Sequence, residues 1–252
     1  EYYFIATEEV SKERKSLGYE NMNAKYDFVI ETYKSKKDEE RAIKVINESD
    51  LVIIGSASEK YIKQRIKENK IVFRYSERLF KTGTFKISSL RTIISLKLKR
   101  SKEKNKKVYM LCASAYTKKD YSKAGLYKNK FYKWGYFPET KQYDIEELIK
   151  SKECNKTITL LWTARFIDWK HPELVVELAS ELKRKNYKFR IQMLGCGEML
   201  EQIKEKVKTG GLENVISVIG PVKASEVRKY MENANIFLAT SDQNEGWGVV
   251  IN

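Results

Sequence analysis

The sequence predicts an α/β fold made of two doubly wound domains with parallel sheets. Three observations carry that prediction. Short apolar runs alternate with helical patterns along most of the chain, which is the layout of parallel strands joined by crossover helices. Ile158, Leu160, Leu161 and Trp162 sit in a run without internal charge, as a strand buried on both faces requires. Gly195-Cys196-Gly197 stands where a strand gives way to a helix, a place where glycine lets backbone approach a ligand, although a tight turn alone would also account for it.

Composition narrows the chemistry before any motif does. At 252 residues and 42% hydrophobic content the chain can build two cores of ordinary size. No apolar run reaches the ~18 residues that a membrane-spanning helix needs, and the opening EYYFIATEEV lacks the basic start and apolar middle of a signal peptide. Cys112, Cys154 and Cys196 are odd in number and form no C-x-x-C pair, which argues against a disulfide framework or a zinc site and for a reducing, cytoplasmic setting. The net charge of +15 suits nucleic acid, an anionic membrane or a phosphorylated small molecule, and lysines scattered over solvated helix faces supply much of it. His171 is the only histidine, so no two-histidine catalytic set and no histidine-rich metal site can be written. There is also no D-x-D pair to hold a divalent ion against a diphosphate. Phosphate chemistry here must lean on protein cations and backbone N–H groups.

Taken in order, the pattern predicts strands at 2–6 and 26–31, a helix over 38–48 with Ala42, Ile43, Val45 and Ile46 on its apolar side, and a strand at 51–55. That last run, LVIIG, is uninterrupted and reads as buried on both faces. A helix over 59–69 and a strand at 71–75 follow. Residues 86–107 read as a basic amphipathic helix, with Ile87, Leu90, Ile93, Ile94 and Leu98 on one face and Arg91, Lys99, Arg100 and Lys102 mostly elsewhere. Packing that face on the sheet is the first expectation, and docking on anionic lipid is the sharper one. Beyond a strand at 108–112, Thr117 reads as a helix N-cap, and Phe131, Tyr132, Trp134, Tyr136 and Phe137 read as core aromatics beside a domain seam before they read as a sugar platform. A linker is expected over 138–156. The second half repeats the alternation, with helices over 172–185, 198–208 and 225–233 between strands at 189–194, 215–220 and 236–240.

The strand that starts near residue 157 ends close to Ala164, and Arg165 and Lys170 follow in the loop before Pro172 and Glu173 open a helix. Two cations beside a helix N-terminus, at the carboxyl end of a parallel strand, make a plausible diphosphate site, though solvated charges at a strand end would look the same.

In the second half TARFIDWKHPELVVELA, LGCGEM, GPVKASEVRKYMENANIFLATS and NEGWGVVIN follow one another in order. Together they resemble glycosyltransferase family 4, retaining enzymes of bacterial polysaccharide and glycan biosynthesis with the two-domain GT-B architecture. CASAY and KWGYFPE in the first half are a weaker match. The resemblance implies two Rossmann-like domains facing across a cleft: an acceptor-binding domain over 1–137 and a nucleotide-sugar-binding domain over 157–252, both apparently truncated at their outer ends. It implies that Arg165 and Lys170 bind the donor diphosphate and neutralise the leaving group, and that Glu245 takes hydrogen bonds from the donor sugar. It places Gly195 and Gly197 on the nucleotide side, Val222 against the base through its backbone, and the N–H groups after Gly246, Trp247 and Gly248 toward the donor. The expected partners are a nucleotide-sugar donor and a glycan or lipid-linked acceptor, with no cofactor, no metal and no nucleic acid. Peripheral contact through 86–107 would put the protein at the inner face of the membrane. Three departures stand out. Asn252 falls one residue before the second glutamate of E-x₇-E, the first domain offers no histidine, and His171 stands where the motif has glycine. Two rivals remain at this point: a sugar-nucleotide epimerase of the same architecture, and a basic module for nucleic acid or membrane surfaces.

Overall fold

In a computed structural model the described residues are all but 17–20, 81–86, 154–156, 247, 249 and 251–252. They form two compact units, one of Glu1–Val10, Asn21–Pro138 and Gly246–Asn252, the other of Ser11–Glu20 and Glu139–Glu245. All strand pairings among the described residues are parallel.

The first unit opens with β1 (Phe4–Ala6), and β2 (Val29–Glu31) pairs with it in a ladder of its own. The intervening short helix α1 (Lys12–Ser16) belongs to the second unit. Helix α2 (Lys36–Glu48) starts where the Ser35 hydroxyl accepts from Asp38 N at 3.1 Å, with Asp38 and Glu39 in its first turn against the positive end of the helix dipole. It buries Ala42 and Ile46, one turn apart. The main sheet holds β3 (Leu51–Ile54), β4 (Ile71–Ser76), β5 (Val108–Cys112) and β6 (Phe131–Lys133) in sequence order, with α3 (Lys63–Lys67), α4 (Ile87–Arg100) and α5 (Thr117–Lys123) between them. Ile54, Ile62, Val72, Val108, Met110 and Tyr127 make its core.

Three expectations change here. β3 is an edge strand of its sheet, and Leu51 and Ile53 are about half exposed, at 50% and 49%, so its apolar run does not report burial on both faces. Helix α4 packs through Ile93 and Leu96, while Leu90, Ile94 and Leu98 face solvent at 46%, 57% and 72%. Thr117 does not cap α5. Tyr116 takes that position, and the Thr117 hydroxyl donates to the Ser76 carbonyl at 3.3 Å.

Two buried arginines fasten this unit. Arg65 is fully buried and its guanidinium reaches the carbonyls of Ile46, Ser49, Asp50 and Ile71, tying the end of α2 to β4. Arg74 is paired with Glu59 and Glu103, and the Tyr127 hydroxyl donates to Glu103 at 3.1 Å, so the charge buried by β4 is fully partnered.

In the second unit α6 (Ile145–Glu153) precedes β7 (Ile158–Thr163), α7 (Pro172–Arg184), β8 (Phe189–Leu194), α8 (Leu200–Thr209), β9 (Ile216–Gly220), α9 (Ala224–Asn233) and β10 (Ile236–Phe237). The segment expected as a linker is fastened to α9: Tyr143 and Lys141 both reach Glu232 at 2.7 Å, and Lys152 reaches the Ala234 carbonyl. The strand order is β10-β7-β8-β9. The chain therefore builds outward from β7 to one side and then returns to its other side, which makes the β7/β10 boundary the switch point of a doubly wound sheet. Trp162, Phe166, Val175, Ala179, Ile191, Met193 and Ile203 fill the core beneath it, each large side chain contributing about 2 kcal/mol by leaving water.

Candidate functional site

At a switch point the loops that leave neighbouring strands diverge and open a crevice at the carboxyl ends. The loop after β7 enters it under constraint. Phe166 is fully buried and packs edge-on against Trp162, with ring centroids 4.8 Å apart. That anchor leaves Arg165 exposed on one side of it and a 3-10 turn, Asp168–Lys170, on the other. The Arg165 guanidinium lies 5.6 Å above the centre of the Trp169 ring, a cation–π contact that limits where it can swing.

His171 then carries the chain into α7 with φ 46° and ψ 56°, in the left-handed region. Glycine is the residue that adopts this conformation without cost, which is the physical reason that the motif has glycine there. The imidazole has partners instead: Nδ1 is 2.9 Å from Glu173 Oε1 and Nε2 is 3.4 Å from Asp242 Oδ2. Those two carboxylates, Glu173 first, hold the His171 pKa above its usual value. Asp242 is held below the usual carboxylate range, first by the Asn244 N–H and then by His171.

The loop after β10 is laced to the same place. Trp162 Nε1 donates to the Thr240 hydroxyl at 2.8 Å, that hydroxyl donates to the Lys170 carbonyl, and Asp242 N donates to the Trp169 carbonyl at 3.1 Å. The result is an ion pair between Lys170 and Glu245, two half-buried side chains 75 positions apart in sequence. Neither charge is left uncompensated in the crevice, and each is positioned to be taken over by a ligand group of opposite or polar character.

Gly195 and Gly197 explain how the third loop fits. A Cβ at Gly195 would lie 1.9 Å from the Ala164 carbonyl oxygen, and one at Gly197 would lie 2.4 Å from that of Phe166. Their φ values, 131° and 152°, are also ones that side-chain-bearing residues rarely adopt. The loop after β8 thus lies flush against the loop that holds Arg165, through Phe166 N to Cys196 O at 2.9 Å and Met199 N to Phe166 O at 2.9 Å.

The expected site residues therefore fall into three groups. Arg165, Lys170, Glu245, Gly195 and Gly197 are gathered at the carboxyl edge of the second unit's sheet. Val222, at the carboxyl end of β9, packs its side chain toward Leu161 and Leu194. Gly246 clusters with the first unit, where a Cβ on it would lie 1.7 Å from Glu77 Oε2; Gly248 belongs to the same segment, and Trp247 lies outside the described residues. Thr240, Asp242 and Trp169 hold the site together and carry no signal in the sequence, because their roles are hydrogen bonds between loops that only the topology brings side by side. A cavity of about 380 Å³ lined by Glu139, Lys141, Ser225 and Arg228 lies at the start of α9, and no expected site residue lines it. Among the described residues no three His, Cys, Asp or Glu side chains gather as a metal site, and no helix is long and apolar enough to cross a membrane.

With this geometry established, the comparisons become interpretable. Residues 144–252 match the family described as Glycosyl transferases group 1, so the second half of the chain carries a domain of that kind. Over 87 residues the chain is 26% identical to the amylovoran biosynthesis glycosyltransferase AmsK of Erwinia amylovora, a match that spans 34% of this chain and 21% of that relative's length. Among solved structures, Anabaena Alr3699/HepE in complex with UDP and glucose superposes with a TM-score of 0.57 at 13% identity, over 88% of this chain and 62% of that one. The pneumococcal O-GlcNAc transferase GtfA, in complex with UDP and GlcNAc, gives 0.56 at 12% identity, over 85% and 42%. A glycosyltransferase from Rickettsia africae gives 0.52 at 17%, over 82% and 57%. The fold is thus the α/β, parallel-sheet fold of the GT-B glycosyltransferases, and the chain spans less than two thirds of each of these relatives.

Proposed function

We propose that the complete protein transfers a sugar from a nucleotide diphosphate donor to an acceptor hydroxyl, with retention of anomeric configuration and without a metal, in the assembly of a polysaccharide or glycolipid. The observation that carries this reading is the Lys170–Glu245 pair at the switch point, with Arg165 on the same loop. As the glycosidic bond breaks, negative charge grows on the departing diphosphate, and fixed cations nearby lower the barrier. Lys170 would exchange Glu245 for the diphosphate when donor binds. Glu245, released from its partner but still in place, would accept hydrogen bonds from the donor sugar. Arg165 supplies the second cation, and a donor phosphate oxygen takes the acceptor proton. A double displacement would need a carboxylate nucleophile at the anomeric carbon, and Glu245 is already engaged as a ligand of Lys170. Uridine diphosphate sugars are the donors to try first, since two of the solved relatives hold UDP. In the complete protein, Arg165→Ala and Lys170→Ala should each lower turnover by about a hundredfold or more, with the anomer of the product read by NMR. Turnover unchanged in both variants would remove the site, and an inverted product would remove retention.

Peripheral membrane contact is a second element of the proposal. On α4 the exposed Leu90, Ile94 and Leu98 recur at every fourth position, with Arg91, Lys97 and Lys99 also exposed beside them. Such contact would bring the site to a lipid-linked acceptor at the cytoplasmic face.

A further inference from the structure

The carboxyl edge of the first unit's sheet holds a second cluster that the donor chemistry does not use. Glu77 and Arg78 follow β4 directly, Tyr116 follows β5, and Trp134, Tyr136 and Phe137 follow β6. The aromatics of that group are not core. Tyr116 is 54% exposed and Phe137 76%, with Trp134 and Tyr136 at 37% and 36%. Solvent-facing rings at the ligand edge of a parallel sheet contradict the expectation that they fill a seam.

The polar members are held in fixed positions. Tyr136 donates its hydroxyl to Glu77 Oε1 at 2.7 Å, and its ring packs edge-on against Tyr75. Burial, then the Tyr75 hydroxyl and the Glu77 carboxylate, push the Tyr136 pKa up, so it stays a donor and Glu77 stays an acceptor. The Arg78 guanidinium lies 4.6 Å above the Tyr116 ring, and its buried Nε has no hydrogen-bond partner among the described residues. Beneath them the buried Asp120 accepts from Leu79 N at 3.0 Å and Phe80 N at 3.2 Å, and Thr117 and Tyr121 brace Ser76. Three polar side chains from α5 are thus committed to fixing one exposed loop, the arrangement expected of a pre-organised binding site rather than of a solvated strand end. At Gly246 a side chain would collide with the Glu77 carboxylate, so the glycine keeps that carboxylate's place open.

We propose that this edge binds the acceptor as a carbohydrate: exposed aromatic rings stack on the apolar face of a pyranose, and Glu77, oriented by Tyr136, accepts from its hydroxyls. This rests on the transferase reading and adds the acceptor's chemical class and its binding residues. Carbohydrate fits better than a free anion, because the group offered at the centre is a carboxylate. It fits better than an apolar chain, because each ring is paired with a polar partner or another ring.

The test is ligand-observed NMR on the full chain with methyl glycosides of glucose, galactose and N-acetylglucosamine and with maltotriose, run beside a UDP thermal shift. At least one glycoside should bind. Glu77→Gln and Tyr136→Phe, both close in shape to the native residues, should each weaken it about tenfold, the scale of one hydrogen bond to a charged group. Tyr187→Ala, an exposed aromatic in the second unit, should leave it unchanged. No binding by any of these sugars, or binding indifferent to Glu77 and Tyr136, overturns the inference. Absence of a UDP shift in the wild type, with glycoside binding intact, would instead count against the donor site.

Discussion

His171 combines a backbone cost with a side-chain return. A residue with a Cβ loses roughly 1 kcal/mol in the left-handed region, and this one recovers part of it through Glu173 and Asp242. Because its pKa is raised in the folded protein, the contribution of those contacts is full below the unfolded value of about 6.5 and fades as pH rises through the folded value. His171→Gly should therefore stabilise the protein at pH 8, by up to about 1 kcal/mol, and the gain should shrink or reverse at pH 5.5. Melting temperatures at the two pH values check this, and a gain larger at pH 5.5 would contradict it. The identity of the residue and its departure from glycine were legible in the sequence. Its partner Asp242 was not, since it arrives from a loop 71 positions further on.

The three loops of the site behave as one element. Gly195 lets the loop after β8 touch the one after β7, and a methyl group 1.9 Å from a carbonyl oxygen cannot be absorbed by a side-chain rotation. Gly195→Ala should cost about 2–4 kcal/mol and loosen Arg165 with it, measured as a lower denaturation midpoint together with weaker donor binding. A variant as stable as the wild type would show that the loops are not packed so closely. Helix α4 makes the opposite point. Its spacing displayed an apolar face, but a face in sequence does not say how much of it the sheet covers, and only Ile93 and Leu96 reach the core among its described side chains. The exposed remainder should bring the protein down with anionic phosphatidylglycerol vesicles at low salt. Ile94→Asp combined with Leu98→Asp should leave it in the supernatant, since two charges would then sit on the face that enters the lipid. Equal sedimentation of that double variant would exclude α4 as the contact.

Across the whole molecule, the alternation of strands and helices gave away the parallel sheets, because a crossover helix leaves a period that composition cannot hide. Strand order left no such trace. The run in β3 looks as buried as that in β7, yet one lies at a sheet edge and the other at the centre. The same gap explains the site. Arg165, Lys170 and Glu245 could be picked out through the resemblance to a known family, but the pairing of Lys170 with Glu245 follows from β10 returning beside β7. The most direct measurement is the affinity of the complete protein for UDP or its sugars beside that of Arg165→Ala and Lys170→Ala. We expect a donor to bind and both variants to lose about tenfold or more in affinity along with their turnover. Full binding and turnover in the two variants would contradict a diphosphate site at this switch point.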